Sequence, residues 1–140
     1  MSFLEPRPAI TVTDTDYERL IVLADQIRPR QPAVAAMLTA ELDRAALVAP
    51  ERIAADVATM RSHVVFGYEH TGRPHWLTIV YPGEADLDRA FVSVATPVGA
   101  ALLGLKEGQS IAWSTASGER RAIQLHKVVY QPERAGRYDL

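Results

Sequence analysis

The side chains of this 140-residue chain that could do chemistry are four histidines, a short acidic run and two arginines in a proline-broken turn. His63 and His126 fall in segments with a strand pattern, while His70 and His75 flank a glycine-proline turn. No pair stands at a zinc-ligand spacing. The chain has no cysteine, so disulfides, thiol catalysis and thiolate metal sites are excluded. Ser93, Thr96 and Ser114 lack the nearby base and orienting acid that would make a hydroxyl a nucleophile. Glu84, Asp86 and Asp88 follow Pro82-Gly83, which reads first as a solvated loop. Arg28 and Arg30 lie in RPRQP, where an exposed turn needs only polarity and proline breaks. The sequence therefore gives no catalytic residue, no metal ligand and no cofactor site.

Composition narrows the remaining functions. Hydrophobic residues make up 48% of the chain and charged residues 23%, so a folded core is expected. The net charge of −2 removes the usual electrostatic basis for nucleic-acid binding, because phosphate contacts call for a basic surface. Direct nucleic-acid binding is expected to be absent or weak, and a protein partner suits the charge better. The N-terminus has no basic start followed by an apolar run, so no signal peptide is expected. No window approaches the roughly 20 apolar residues of a membrane span. These features predict a cytoplasmic protein.

The chain divides into two predicted parts, residues 1–49 and 50–140. Residues 1–9 should form an extended or disordered arm. A helix is predicted over Thr15–Ile27, capped by Thr13 or Asp14 and ended by Pro29, with Tyr17, Leu20, Ile21, Ala24 and Ile27 on one face. A second helix is predicted over Ala33–Leu47, with Val34, Leu38 and Leu42 inward and Glu41, Asp43 and Arg44 outward. The two form an antiparallel hairpin, a short coiled coil with arms about 20 Å long. Strands are predicted near Ser62–Tyr68, Pro74–Val80, Ala90–Val94, Ser110–Trp113 and Ala122–Tyr130, the last covered on both faces near its end. Between them, ATPVGAALLGLKEG reads as a helix capped by Thr96, opened by Pro97 and stopped by Gly104, with a turn at Gly108. Gly99 and Ala100 allow close backbone approach. The fold class is α+β.

Four segments in this order carry a family resemblance: AELDRA (40–45), DVATMRSHVVF (56–66), TIVYPGEAD (78–86) and VSVATPVGAALLGLKEGQSI (92–111). Together they resemble the bacterial Gre transcript-cleavage factors over about Ile10 to Glu133. VGAALLGL and the late YQPE are more similar to the Rnk branch, named for regulation of nucleoside diphosphate kinase. The resemblance implies an FKBP-like C-terminal part, an antiparallel sheet around a short helix, that docks on RNA polymerase at the rim of the secondary channel. The hairpin then points into that channel. Pro97, Leu102, Leu103, Leu105, Glu84 and Asp86 are the docking candidates; a helix this short is not expected to hide every leucine.

In a Gre factor, acidic residues at the hairpin tip help to hold a catalytic magnesium ion. The tip here is Arg28, Pro29, Arg30, Gln31 and Pro32, with Asp25 one turn back. The hairpin also looks several turns shorter than the Gre coiled coil. The expected function is a non-enzymatic regulator that modulates elongation or competes with Gre factors, without cleavage activity. An active cleavage factor and an FKBP-like prolyl isomerase are the alternatives. The isomerase is disfavoured by the few aromatic residues and by the weak link from fold to function.

Overall fold

The computed structural model describes residues 1–138. The chain folds into a helical hairpin packed on a curled six-stranded sheet. Strand β1 (Ser2–Phe3) precedes β2 (Thr11–Thr13), helices α1 (Asp14–Ile27) and α2 (Pro32–Arg44), and β3 (Ala46–Val48). Then come β4 (His63–Tyr68), β5 (Pro74–Val80), β6 (Phe91–Ser93), helix α3 (Pro97–Leu102), β7 (Ser110–Ser114) and β8 (Arg120–Tyr130). The large sheet has the order β1-β7-β8-β4-β5-β6, and β2 and β3 form a separate parallel pair. Neighbours in the large sheet are antiparallel except β5 and β6, which are parallel. No helix among the described residues is long and apolar enough to cross a membrane.

Local chemistry sets the helix starts. Thr13 caps α1 by accepting the Asp16 N–H at 3.1 Å, and Thr96 caps α3 by accepting the Gly99 N–H at 3.1 Å. Gly99 is required by packing: a Cβ there would lie 2.3 Å from the Ser93 carbonyl oxygen. Gly104 takes φ of 82° and turns the chain out of α3 against Ile10.

Of the two forms expected for the N-terminal arm it takes the extended one: Ser2 and Phe3 pair with Ser114 and Trp113 along the β7 edge. Other expectations are corrected. Helix α2 stops at Arg44 rather than Leu47, because Ala46–Val48 pairs beside Thr11–Thr13 and its backbone is satisfied there. Glu41, expected outward, is fully buried. Arg7 and Arg44 reach it at 3.1 and 2.7 Å, and Arg44 also donates to the Pro8 carbonyl. One counter-charge, Arg44, is a helical turn further on; the other, Arg7, comes from the arm, which no helical periodicity registers.

The buried face of α1 is also rotated, to Asp16, Leu20, Leu23 and Ala24, leaving Ile21 and Val22 exposed. Register shifts in the β4–β8 pairing re-phase β8 so that Leu125 and Val128 both face the core. Val129 and Tyr130 are exposed, so the end of β8 is not covered on both faces. One continuous core joins hairpin and sheet, running from Leu20, Leu38 and Leu42 through Leu102 and Leu105 to Val64, Ile123 and Leu125.

Candidate docking surfaces and the hairpin tip

The tip is built by the end of α1. The Arg28 N–H bonds the Ala24 carbonyl at 3.1 Å, the Gln31 N–H bonds the Ile27 carbonyl at 2.7 Å, and Pro32 opens α2. Arg28, Arg30 and Gln31 are exposed. The Arg28 guanidinium donates to Asp25 Oδ1 at 3.4 Å and to Thr39 Oγ1 at 3.3 Å. Asp25 is therefore matched by an arginine, and no Asp or Glu lies between Gln26 and Ala40. The tip presents guanidinium groups, which repel a cation rather than hold one.

The docking candidates separate into three places. Pro97 is half-buried and, with Val98, Tyr68, Trp113, Arg121 and Met1, borders a cleft of about 450 Å³. Leu102, Leu103 and Leu105 are completely buried. The expectation that this short helix leaves a leucine at the surface is corrected: the hairpin covers α3 on one side and the sheet on the other. The turn after Gly104 then carries Leu105 inward, where its carbonyl accepts the Ala58 N–H at 2.9 Å.

Glu84 and Asp86 sit on the loop between β5 and β6. Glu84 pairs with Arg61 at 3.1 Å and accepts the Tyr81 N–H at 3.3 Å. Asp86 accepts the Asp88 N–H at 3.0 Å and lies 3.7 Å from Arg89. Both loop carboxylates are thus committed to fixing the turn as well as charging it.

A second, larger cleft of about 1050 Å³ lies between α1 and the segment 81–84. Arg19, Val22, Leu23, Arg61, Tyr81 and Pro82 are among its walls. Arg61 takes φ of 63° and places its guanidinium 5.3 Å from the Tyr81 ring centre. The Tyr81 hydroxyl is buried beside Arg19 without a hydrogen bond of good geometry; burial and the Asp16 charge push its pKa up to about 12.

Asp16, on α1, is buried. Its carboxyl accepts the Met60 N–H at 3.2 Å. Burial first and the neighbouring Glu133 charge second push its pKa up to about 6, against the Met60 hydrogen bond and Arg19. By position Asp16 is an acidic residue in the first turn of α1, and nothing in its spacing signals that it is buried. The cleft joins residues distant in the chain, so no spacing signals it.

The histidines stay apart in role. His63 Nδ1 contacts Thr78 Oγ1 at 2.9 Å, and His75 stacks on Phe66 with ring centres 5.5 Å apart. Among the described residues no group of three or more metal-ligating side chains converges.

Residues 53–130 match the family model for the C-terminal part of transcription elongation factors GreA/GreB, and residues 8–48 match the model for the Rnk N-terminus. The chain is 41% identical to the regulator of nucleoside diphosphate kinase of Escherichia coli K12 over 94% of its own length and 97% of that protein's. The protein of the same name from Shigella flexneri matches to the same extent. Among solved structures, a prokaryotic transcription elongation factor GreA/GreB from Nitrosomonas europaea is 36% identical. It superposes with a TM-score of 0.69, covering 86% of this chain and 99% of that one. An Rnk-type hairpin joined to a GreA/GreB C-terminal part places the chain in the Rnk branch of the GreA/GreB family.

Proposed function

We propose that this protein is a transcription regulator that binds RNA polymerase near the secondary channel, modulating elongation or competing with Gre factors, without stimulating transcript cleavage. The sheet domain, read as FKBP-like, is the docking module, and the hairpin of α1 and α2 is the arm that enters the channel. The observation that carries this reading is the tip, where Asp25 is matched by Arg28 and Arg30 adds a second exposed guanidinium. A magnesium ion needs several carboxylate oxygens together, and this tip offers one carboxylate, Asp25, with Arg28 beside it. The name of the Escherichia coli relative extends the proposal to an effect on nucleoside diphosphate kinase, exerted through transcription. The proposed site of action is the cytoplasm.

Pull-down with core polymerase, with and without excess Gre factor, tests the binding. Retention that falls as competitor rises supports the proposal; no retention, or retention indifferent to competitor, overturns the competition model. A backtracked elongation complex tests the absence of cleavage: transcript shortening on addition of this protein would make it an active cleavage factor instead.

A further inference from the structure

Leu87 is 92% exposed, more than any other large apolar side chain among the described residues. It stands at the apex of a turn that is tightly fixed. Asp86 and Phe91 exchange two backbone hydrogen bonds of 3.0 and 2.9 Å. Asp86 Oδ1 accepts the Asp88 N–H at 3.0 Å, and Ala90, at φ of 56°, donates its N–H to the Leu87 carbonyl at 3.1 Å. A leucine held out on a fixed backbone loses little freedom when a partner covers it, which is the character of a preorganised anchor.

The surroundings define what would cover it. Phe91 lies beside Thr78 in the β5–β6 register, and Trp76, two residues back on β5, shares that sheet face and is 57% exposed. The Arg89 guanidinium lies 5.9 Å from the centre of the Phe91 ring. Glu84 is paired with Arg61 and Asp86 lies beside Arg89, which leaves exposed Asp88 as the charge next to Leu87. Edge strand β6 then leads from this turn directly to Thr96 and Pro97.

We propose that the Leu87 turn is an anchor of the polymerase contact, inserting Leu87 into an apolar depression rimmed by lysine or arginine side chains on the polymerase. The inference rests on the polymerase-binding reading above and adds to it a residue and a partner chemistry. The complement of an apolar knob beside an exposed carboxylate is an apolar pocket with a basic rim. Leu87 carries the burial, and Asp88 supplies exposed charge that steers it.

The test is the affinity of the full chain for core polymerase, measured with Leu87→Ser, Asp88→Lys and, as a control on exposed apolar surface outside this turn, Val129→Ser. Leu87 contributes nothing to the core, so its variant should melt like the parent. Leu87→Ser is expected to weaken binding about tenfold or more, the effect of losing one buried leucine. Asp88→Lys should weaken binding and flatten its salt dependence, and Val129→Ser should change nothing. Parent-like binding by Leu87→Ser, or an equal loss with Val129→Ser, overturns the anchor while leaving polymerase binding intact. Failure of the parent itself to bind would overturn the polymerase reading and the anchor with it.

Discussion

Asp16 on α1 accepts the Met60 N–H at 3.2 Å, so one buried carboxyl ties the helical hairpin to the segment that enters the sheet. Glu133 stands close enough to raise the Asp16 pKa, and its own carboxylate accepts the Thr59 hydroxyl at 2.7 Å. Two acids from opposite ends of the chain thus meet where the hairpin joins the sheet.

That meeting makes stability depend on pH. The folded-state pKa of Asp16 is about 6 against 3.8 for the free group, so the native state holds this proton more tightly than the unfolded chain does. The stabilisation from this group is complete below pH 3.8 and is lost as pH rises through 6. The total swing is about 3 kcal/mol. Thermal melts should therefore show this protein less stable at pH 8 than at pH 5.5. Asp16→Asn keeps an acceptor for the Met60 N–H and should flatten the dependence; an unchanged slope would mean that another group carries it.

Glu41 links α2 to the N-terminal arm through Arg7 and Arg44. Arg44→Ala removes two hydrogen bonds to a fully buried carboxylate and one to the Pro8 carbonyl. Arg7 remains as a partial counter-charge, so the expected loss is about 2–3 kcal/mol in urea unfolding. A loss below about 0.5 kcal/mol would show that the clamp is energetically idle.

Gly99 packs α3 against the end of β6. Gly99→Ala would put a methyl group 2.3 Å from the Ser93 carbonyl oxygen and 2.8 Å from Val94 Cα, both backbone atoms that cannot swing away. Destabilisation of about 2–3 kcal/mol is expected from the forced shift. A calorimetric melt that matches the parent would show that the helix can retreat at no cost.

The tip should tolerate change. Arg30 is exposed, so Arg30→Asp should alter stability by less than about 0.5 kcal/mol in denaturant titration. It should also leave a backtracked transcript uncut, because the 14-residue α1 spans only about 21 Å and one carboxylate does not make a cation site. Cleavage restored by this single change would show that the arm reaches the active centre after all.

Much of the fold was legible in the chain. Thr13, Thr96 and Pro97 marked helix starts and Gly104 a helix stop, because caps and positive φ depend on adjacent residues alone. The strand at 74–80 was bounded correctly by turn chemistry on either side. The basic tip was legible for the same reason: Pro29 and Pro32 mark the break between the helices and leave Arg28 and Arg30 exposed beside it.

What the sequence by itself determined was therefore local: where helices and strands begin, the family pattern carried by four ordered segments, and the absence of carboxylates at the tip. The tertiary structure decided everything that depends on distant residues meeting. It buried Glu41 because an arm more than thirty residues earlier supplies Arg7, and hid Leu102, Leu103 and Leu105 because hairpin and sheet close over a six-residue helix. It also buried Asp16 as a link between hairpin and sheet. Periodicity sorts side chains by their own polarity, whereas burial is set by what the rest of the chain brings against them.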